Sequence, residues 1–155
     1  MAVLISGCTS TSSQLVSQKL TPIQRRSLES KELEGKFDDA FKATIAVLQD
    51  KSYMIKTSDF ESGLIYGETA KEVTNNVWHF KSAYKVTINF EKFTENRTKM
   101  RLTIFRQMYN SFGIEIPEAP DSKRLKTGAV ENPHMYQDFY NEIQQEMFRR
   151  EQLNK

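Results

Sequence analysis

A single cysteine and two histidines are the scarcest reactive side chains in this chain, and only the cysteine stands in a pattern. Cys8 lies in the run Leu4-Ile5-Ser6-Gly7-Cys8-Thr9-Ser10. An aliphatic residue three places before a cysteine, with small residues between, is the pattern of a bacterial lipobox. There the thiol takes a diacylglycerol, and a peptidase that seats extended chain cuts before it. A full signal peptide carries a basic region and about 7–15 apolar residues, whereas only Met1 to Ile5 precede the box. Either the true start lies upstream of Met1, or the match is chance and Cys8 is a stray thiol on a disordered terminus. The polar run from Thr9 to Gln14 suits the first reading, because a lipid-anchored domain needs a solvated tether. Residues 1–7 are therefore expected to be the remnant of a lipoprotein signal peptide, and residues 8–19 a lipidated cysteine and flexible tether. Thr9, directly after the cysteine, is compatible with sorting to the outer membrane.

Other chemistry is hard to assemble. His79 and His134 lie far apart, and neither has a second ligand at helical or turn spacing, so no metal site is expected. The six glycines form no phosphate-cradling run. No Ser-His-Asp arrangement can be argued, and the carboxylates are scattered over solvated positions. The expectation is a protein that is not an enzyme and carries no cofactor.

Composition narrows the class further. With 155 residues and 38% apolar content, the chain can bury one core. Twenty-two Lys and Arg against 20 Asp and Glu leave a charge of +2, spread with alternating sign, so nucleic acid is not an expected partner. No stretch approaches the roughly 18 apolar residues of a membrane-spanning helix.

The elements that would carry a site are legible from periodicity. Phe37, Ala40, Phe41, Thr44, Ile45 and Leu48 recur at three and four, which is one face of a helix, with Asp38 and Asp39 at its positive end. Strand formers at Tyr53–Thr57 and Leu64–Glu68 flank the turn residues Ser58–Gly63, a hairpin signature. Tyr84, Val86, Ile88 and Phe90 alternate with polar residues, as do Met100, Leu102 and Ile104, giving two further strands of an antiparallel meander. Asn132-Pro133 reads as a helix start, followed by a stripe at Tyr136, Phe139, Tyr140, Ile143 and Met147. The expected fold is α+β: an antiparallel sheet of four to five strands with two helices packed on one face, a two-layer sandwich over residues 20–150.

A long loop at 108–131 stands out, since structureless loops beyond about 12–15 residues are usually functional or disordered. It holds Tyr109, Phe112, Ile114 and Ile116, then Pro117, Pro120 and the basic cluster Lys123-Arg124-Leu125-Lys126. It is either a surface loop with a short edge strand at Gly113–Ile116, or a segment that docks a partner. Trp78, beside His79, is a further contact candidate or a core residue, as aromatic side chains are enriched in binding hot spots.

Several stretches together resemble a family of small bacterial envelope lipoproteins of unknown function. They are Ile23–Arg26, Phe41–Asp50, Tyr53–Ile55, Gly63–Ile65 and Asn132–Tyr140. The resemblance covers roughly residues 20 to 150 and implies a strand at Ile23–Leu28. In layout the domain is also similar to the helix-grip domains of the C subunit of the β-barrel assembly machine. Such proteins are accessory or structural parts of envelope complexes, and the long Ile114–Ala129 segment departs from the family pattern. The function expected is that of a non-enzymatic lipoprotein on the periplasmic face of the bacterial outer membrane. It would serve a secretion-system or flagellar assembly, with other envelope proteins as partners at Tyr109, Phe112, Ile114, Ile116 and Trp78. The alternative is a periplasmic carrier or sensor holding an apolar ligand between helix and sheet, in a cavity lined by residues such as Phe37, Phe41, Val86, Ile88 and Tyr136.

Overall fold

A computed structural model describes residues 20–75, 79–117 and 127–153. Helix α1 spans Pro22–Glu29. Thr21 caps it: its hydroxyl accepts from the Gln24 amide at 3.3 Å while the Gln24 side chain accepts from the Thr21 amide at 2.9 Å. This reciprocal box, with proline at the first position, satisfies amides that would otherwise be orphaned. The strand implied at Ile23–Leu28 is thereby corrected to a helix: the signal lay in Thr21-Pro22 and Gln24, which outweigh the isolated aliphatic residues.

Strand β1, Ser30–Glu34, follows at once, and Gly35, at φ 128°, turns the chain into helix α2, Phe37–Asp50. Strands β2 (Tyr53–Asp59), β3 (Leu64–Thr69), β4 (Glu72–Asn75), β5 (Phe80–Thr94) and β6 (Arg97–Tyr109) come next. The two-residue strands β7 (Glu115–Ile116) and β8 (Gly128–Ala129) precede helix α3, Pro133–Leu153. The expected meander is present as the antiparallel neighbours β2, β3, β5 and β6. Among the described residues the sheet has eight strands, more than the four to five expected. The additions are short: β1, β7 and β8 border β6, and β4 extends the line of β3 along β5. Strands of this length carry too few residues to show a period.

The alternation in β5 and β6 sets the core. Val86 pairs with Ile104, Ile88 with Leu102 and Phe90 with Met100, and all six are buried. Ala40, Phe41, Val47 and Leu48 of α2 and Tyr136, Phe139, Ile143 and Met147 of α3 join the same cluster. Each large apolar side chain so buried contributes about 1.5–3 kcal/mol. Helix α3 caps the outer edge of β1 at its two ends. The Gln144 amide both donates to and accepts from the Glu34 backbone, at 2.8 and 2.9 Å, and the Tyr140 hydroxyl donates to the Glu29 carbonyl at 2.6 Å.

One polar group in the core is out of place. Thr44 is fully buried in α2, and its hydroxyl has no hydrogen-bond partner among the described residues. An unmet buried hydroxyl costs about 1–3 kcal/mol. Thr44→Val keeps the shape and removes the polar atom, so it is expected to stabilise the domain by about 1 kcal/mol and raise Tm by ~2–4 °C. Thermal unfolding followed by circular dichroism checks this, and a lower Tm would show that the hydroxyl is satisfied.

Candidate functional site

The segment after β6 does not hang loose. Asn110 organises it: its side-chain oxygen accepts from the amides of Phe112 at 3.0 Å and Ile114 at 2.9 Å. Its own amide donates to the Ile114 carbonyl, and the Gly113 amide donates to the Asn110 carbonyl, both at 2.9 Å. Gly113 takes φ 81°, a left-handed conformation that glycine adopts without steric cost. The chain then returns along β6 with Glu115 opposite Tyr109 and Ile116 opposite Met108. The result is a tight hairpin with Phe112 at its tip, 88% exposed, and Ile114 beside it, 64% exposed.

Two lysines brace the hairpin. Lys71, just before β4, lies with its ammonium 4.1 Å from the Tyr109 ring centroid and donates to the Gly113 carbonyl at 3.4 Å. Lys85 of β5 pairs with Glu115 at 3.3 Å. Burial alone would lower the Lys85 pKa, but the hydrogen bond to Glu115, with the nearby charges, outweighs it and raises the value. Burial likewise pushes the Tyr109 phenol up, against the opposing field of Lys85. Lys85 therefore stays charged and Tyr109 neutral at neutral pH, and the brace combines the Lys71 cation–π contact with the Lys85–Glu115 ion pair.

The five residues singled out as partner contacts fare differently. Phe112 and Ile114 stand together on the hairpin tip. Ile116 is half-buried, and its carbonyl accepts from the Thr127 hydroxyl at 2.7 Å. Tyr109 is corrected: it is only 5% exposed, under the Lys71 ammonium, and serves as the base of the hairpin instead of a contact surface. Trp78 and Cys8 lie outside the described residues, as do the tether and the basic cluster at 123–126. The residues that sequence reasoning missed are Asn110, Gly113, Lys71 and Lys85. The spacing Asn110-x-x-Gly113 carried the signal for a turn; the lysines carried none, because Lys71, before β4, and Lys85, in β5, meet the hairpin only in the folded chain.

A second feature arises from α1 being a helix. Between α1 and the first turns of α3 lies a groove of about 330 Å³, floored by Leu28, Tyr136 and Tyr140 and rimmed by Lys31, His134 and Gln137. Ion pairs hold its walls. Arg25 of α1 pairs with Glu131, and the buried Glu29 carboxylate accepts from Arg101 at 2.9 Å. Among the described residues no three His, Cys, Asp or Glu side chains stand close enough to hold a metal ion. No helix there is long and apolar enough to cross a membrane.

No family model matches the chain, and no curated protein matches it.

Proposed function

We propose that this chain is a non-enzymatic lipoprotein of the bacterial outer membrane, anchored through Cys8 on the periplasmic face. In this role it acts as a structural or accessory subunit of an envelope complex of the secretion-system or flagellar kind. The observation that carries the proposal is the braced hairpin tip, which presents Phe112 and Ile114 to solvent on a turn already fixed by Asn110. A rigid aromatic anchor gives binding energy at little cost in ordering, the usual make-up of a hot spot. In this reading α2 and α3 lie together on one face of the sheet as the helix grip, and the hairpin tip is the part that meets the partner.

The packing supports this role over that of an apolar carrier. Phe41, Val86, Ile88 and Tyr136 are at most 4% exposed. The Phe37 ring sits 5.2–6.2 Å, centroid to centroid, from the rings of Phe41, Phe60 and Phe90. A carrier needs space where these side chains touch.

Anchoring is tested separately from docking. A processed lipoprotein carries several acyl chains, each buried CH₂ contributing about 0.8 kcal/mol, so the wild type is expected entirely in the membrane fraction. Cys8→Ala is expected to release a folded domain into the soluble fraction. Persistent retention of the variant in membranes would rule out lipidation as the anchor.

A further inference from the structure

We propose that α1 is a clasp that opens and closes on the folded domain, with its catch at Glu131 and its hinge at Glu29. At the free end the Glu131 carboxylate takes both holds. It pairs with the Arg25 guanidinium and accepts from the Leu20 amide at 3.4 Å. At the other end the chain is fixed where α1 runs straight into β1. There the Tyr140 hydroxyl donates to the Glu29 carbonyl at 2.6 Å, and the buried Glu29 carboxylate accepts from the Arg101 guanidinium at 2.9 and 3.2 Å. Ser30, already extended at φ −114° and ψ 132°, pairs with Arg101 as the first residue of β1.

Little else keeps α1 down. Ile23 is 82% exposed, Leu28 alone of its aliphatic side chains packs against the core, and Pro22, Gln24, Arg26 and Ser27 are exposed. A helix of eight residues does not hold itself, since isolated helices under about 12–15 residues are marginal in water. Its docking is also incomplete. The Arg25 Nε is buried with no hydrogen-bond partner among the described residues, and it regains water when the helix lifts. The elements on either side of the hinge thus differ in kind. Strand β1 is tied into the ladder of β6 and stays with the core, whereas α1 hangs mainly on one carboxylate and melts when that lets go. Melting lets out chain: the eight residues rise about 12 Å as helix and reach roughly 26 Å extended. In a chain anchored through Cys8, as proposed above, that slack adds to the tether and lets the domain stand farther from the membrane.

Hydrogen exchange of the full chain, read amide by amide by NMR, tests this. The amides of Arg25–Leu28 are expected to open together, at least about 100-fold more often than the bonded amides of β5 and β6, with a sharp step to core-level protection inside β1. Glu131→Gln should raise the opening of α1 at least about 10-fold and leave β1, β5 and β6 as they were. Arg25→Glu should open the clasp as well, and adding Glu131→Arg to it should close the clasp again, a rescue that general loosening of a terminus does not give. An α1 as protected as the core would overturn the proposal. So would protection that declines gradually from β1 to Leu20, as at a fraying end, or variants that raise exchange in every element alike. The clasp stands or falls apart from the anchor. An opening α1 in a chain whose Cys8 carries no lipid upholds the clasp while the anchor falls, and a closed α1 in a lipidated chain overturns the clasp alone.

Discussion

Gly63→Ala is expected to cost about 3 kcal/mol and to lower Tm by roughly 10 °C, a large effect for one methyl group. Gly63 ends the turn between β2 and β3, which Asp59 fixes by accepting from the Ser62 hydroxyl at 2.6 Å and the Glu61 amide at 3.0 Å. The chain enters β3 through φ 69° at Gly63, whose carbonyl accepts from the Phe90 amide at 2.9 Å. A Cβ at this position would lie 2.6 Å from the Phe90 carbonyl oxygen and 3.3 Å from the Phe37 ring. The left-handed conformation alone costs a residue with a Cβ about 1–2 kcal/mol. The clash adds more, because the atom met is backbone in a central strand and cannot swing aside. Relief requires the hairpin to lift from β5, which loosens the Phe37, Phe41, Phe60 and Phe90 rings. Gly113→Ala is the control. It shares a positive φ, but its nearest neighbour would be the flexible Lys71 ammonium at 3.9 Å, so only the conformational cost of about 1–2 kcal/mol applies. Equal losses in the two variants, measured by denaturant unfolding, would show that Gly63 is not held against β5.

Phe112→Asp is expected to leave stability within about 0.5 kcal/mol of the wild type, as for other substitutions at exposed positions. It should cut the recovery of partner proteins at least 30-fold, about 2 kcal/mol or more of binding energy. The side chain touches solvent over almost all its surface, so the domain has nothing to lose from the exchange. A partner pocket shaped for an aromatic ring, by contrast, would have to bury a carboxylate without a counter-charge. Tyr109→Ala supplies the opposite pattern. Its ring is buried under Lys71, and its removal is expected to cost about 3 kcal/mol of stability. Unfolding curves for the two variants, read beside partner recovery from membranes, separate a contact residue from its support. A Phe112→Asp protein that unfolds readily would contradict the placement of the tip.

Much of the fold was legible because long elements repeat their period. Helix α2 and strands β5 and β6 each show enough turns or alternations to fix which side is buried, and the burial of Val86, Ile88, Met100 and Leu102 follows the pattern. Short elements were not legible this way. Helix α1 has eight residues and only one buried side chain, Glu29, so its evident signal was the cap, not a stripe. Strand β1 reads Ser-Lys-Glu-Leu-Glu, with a charged rim and a single buried leucine, and is strand because β6 offers it a ladder. The same limit governed the site. Phe112 and Ile114 were visible as apolar residues without a period, which is what an exposed tip looks like in sequence. Tyr109 had the same appearance and proved to be buried, because Lys71, distant in sequence, covers it. The groove between α1 and α3 depends on a tertiary contact of two helices, and for α1 the family resemblance implies a strand in place of the helix.

The most direct test of the central claim is an affinity pull-down of the C-terminally tagged chain from detergent-solubilised membranes of its host, with the mass of the N-terminal peptide read in the same run. The account predicts an acylated Cys8 and a defined set of envelope proteins that co-purify in fixed ratio. A chain that comes down alone, soluble and unmodified would contradict both the anchor and the docking role.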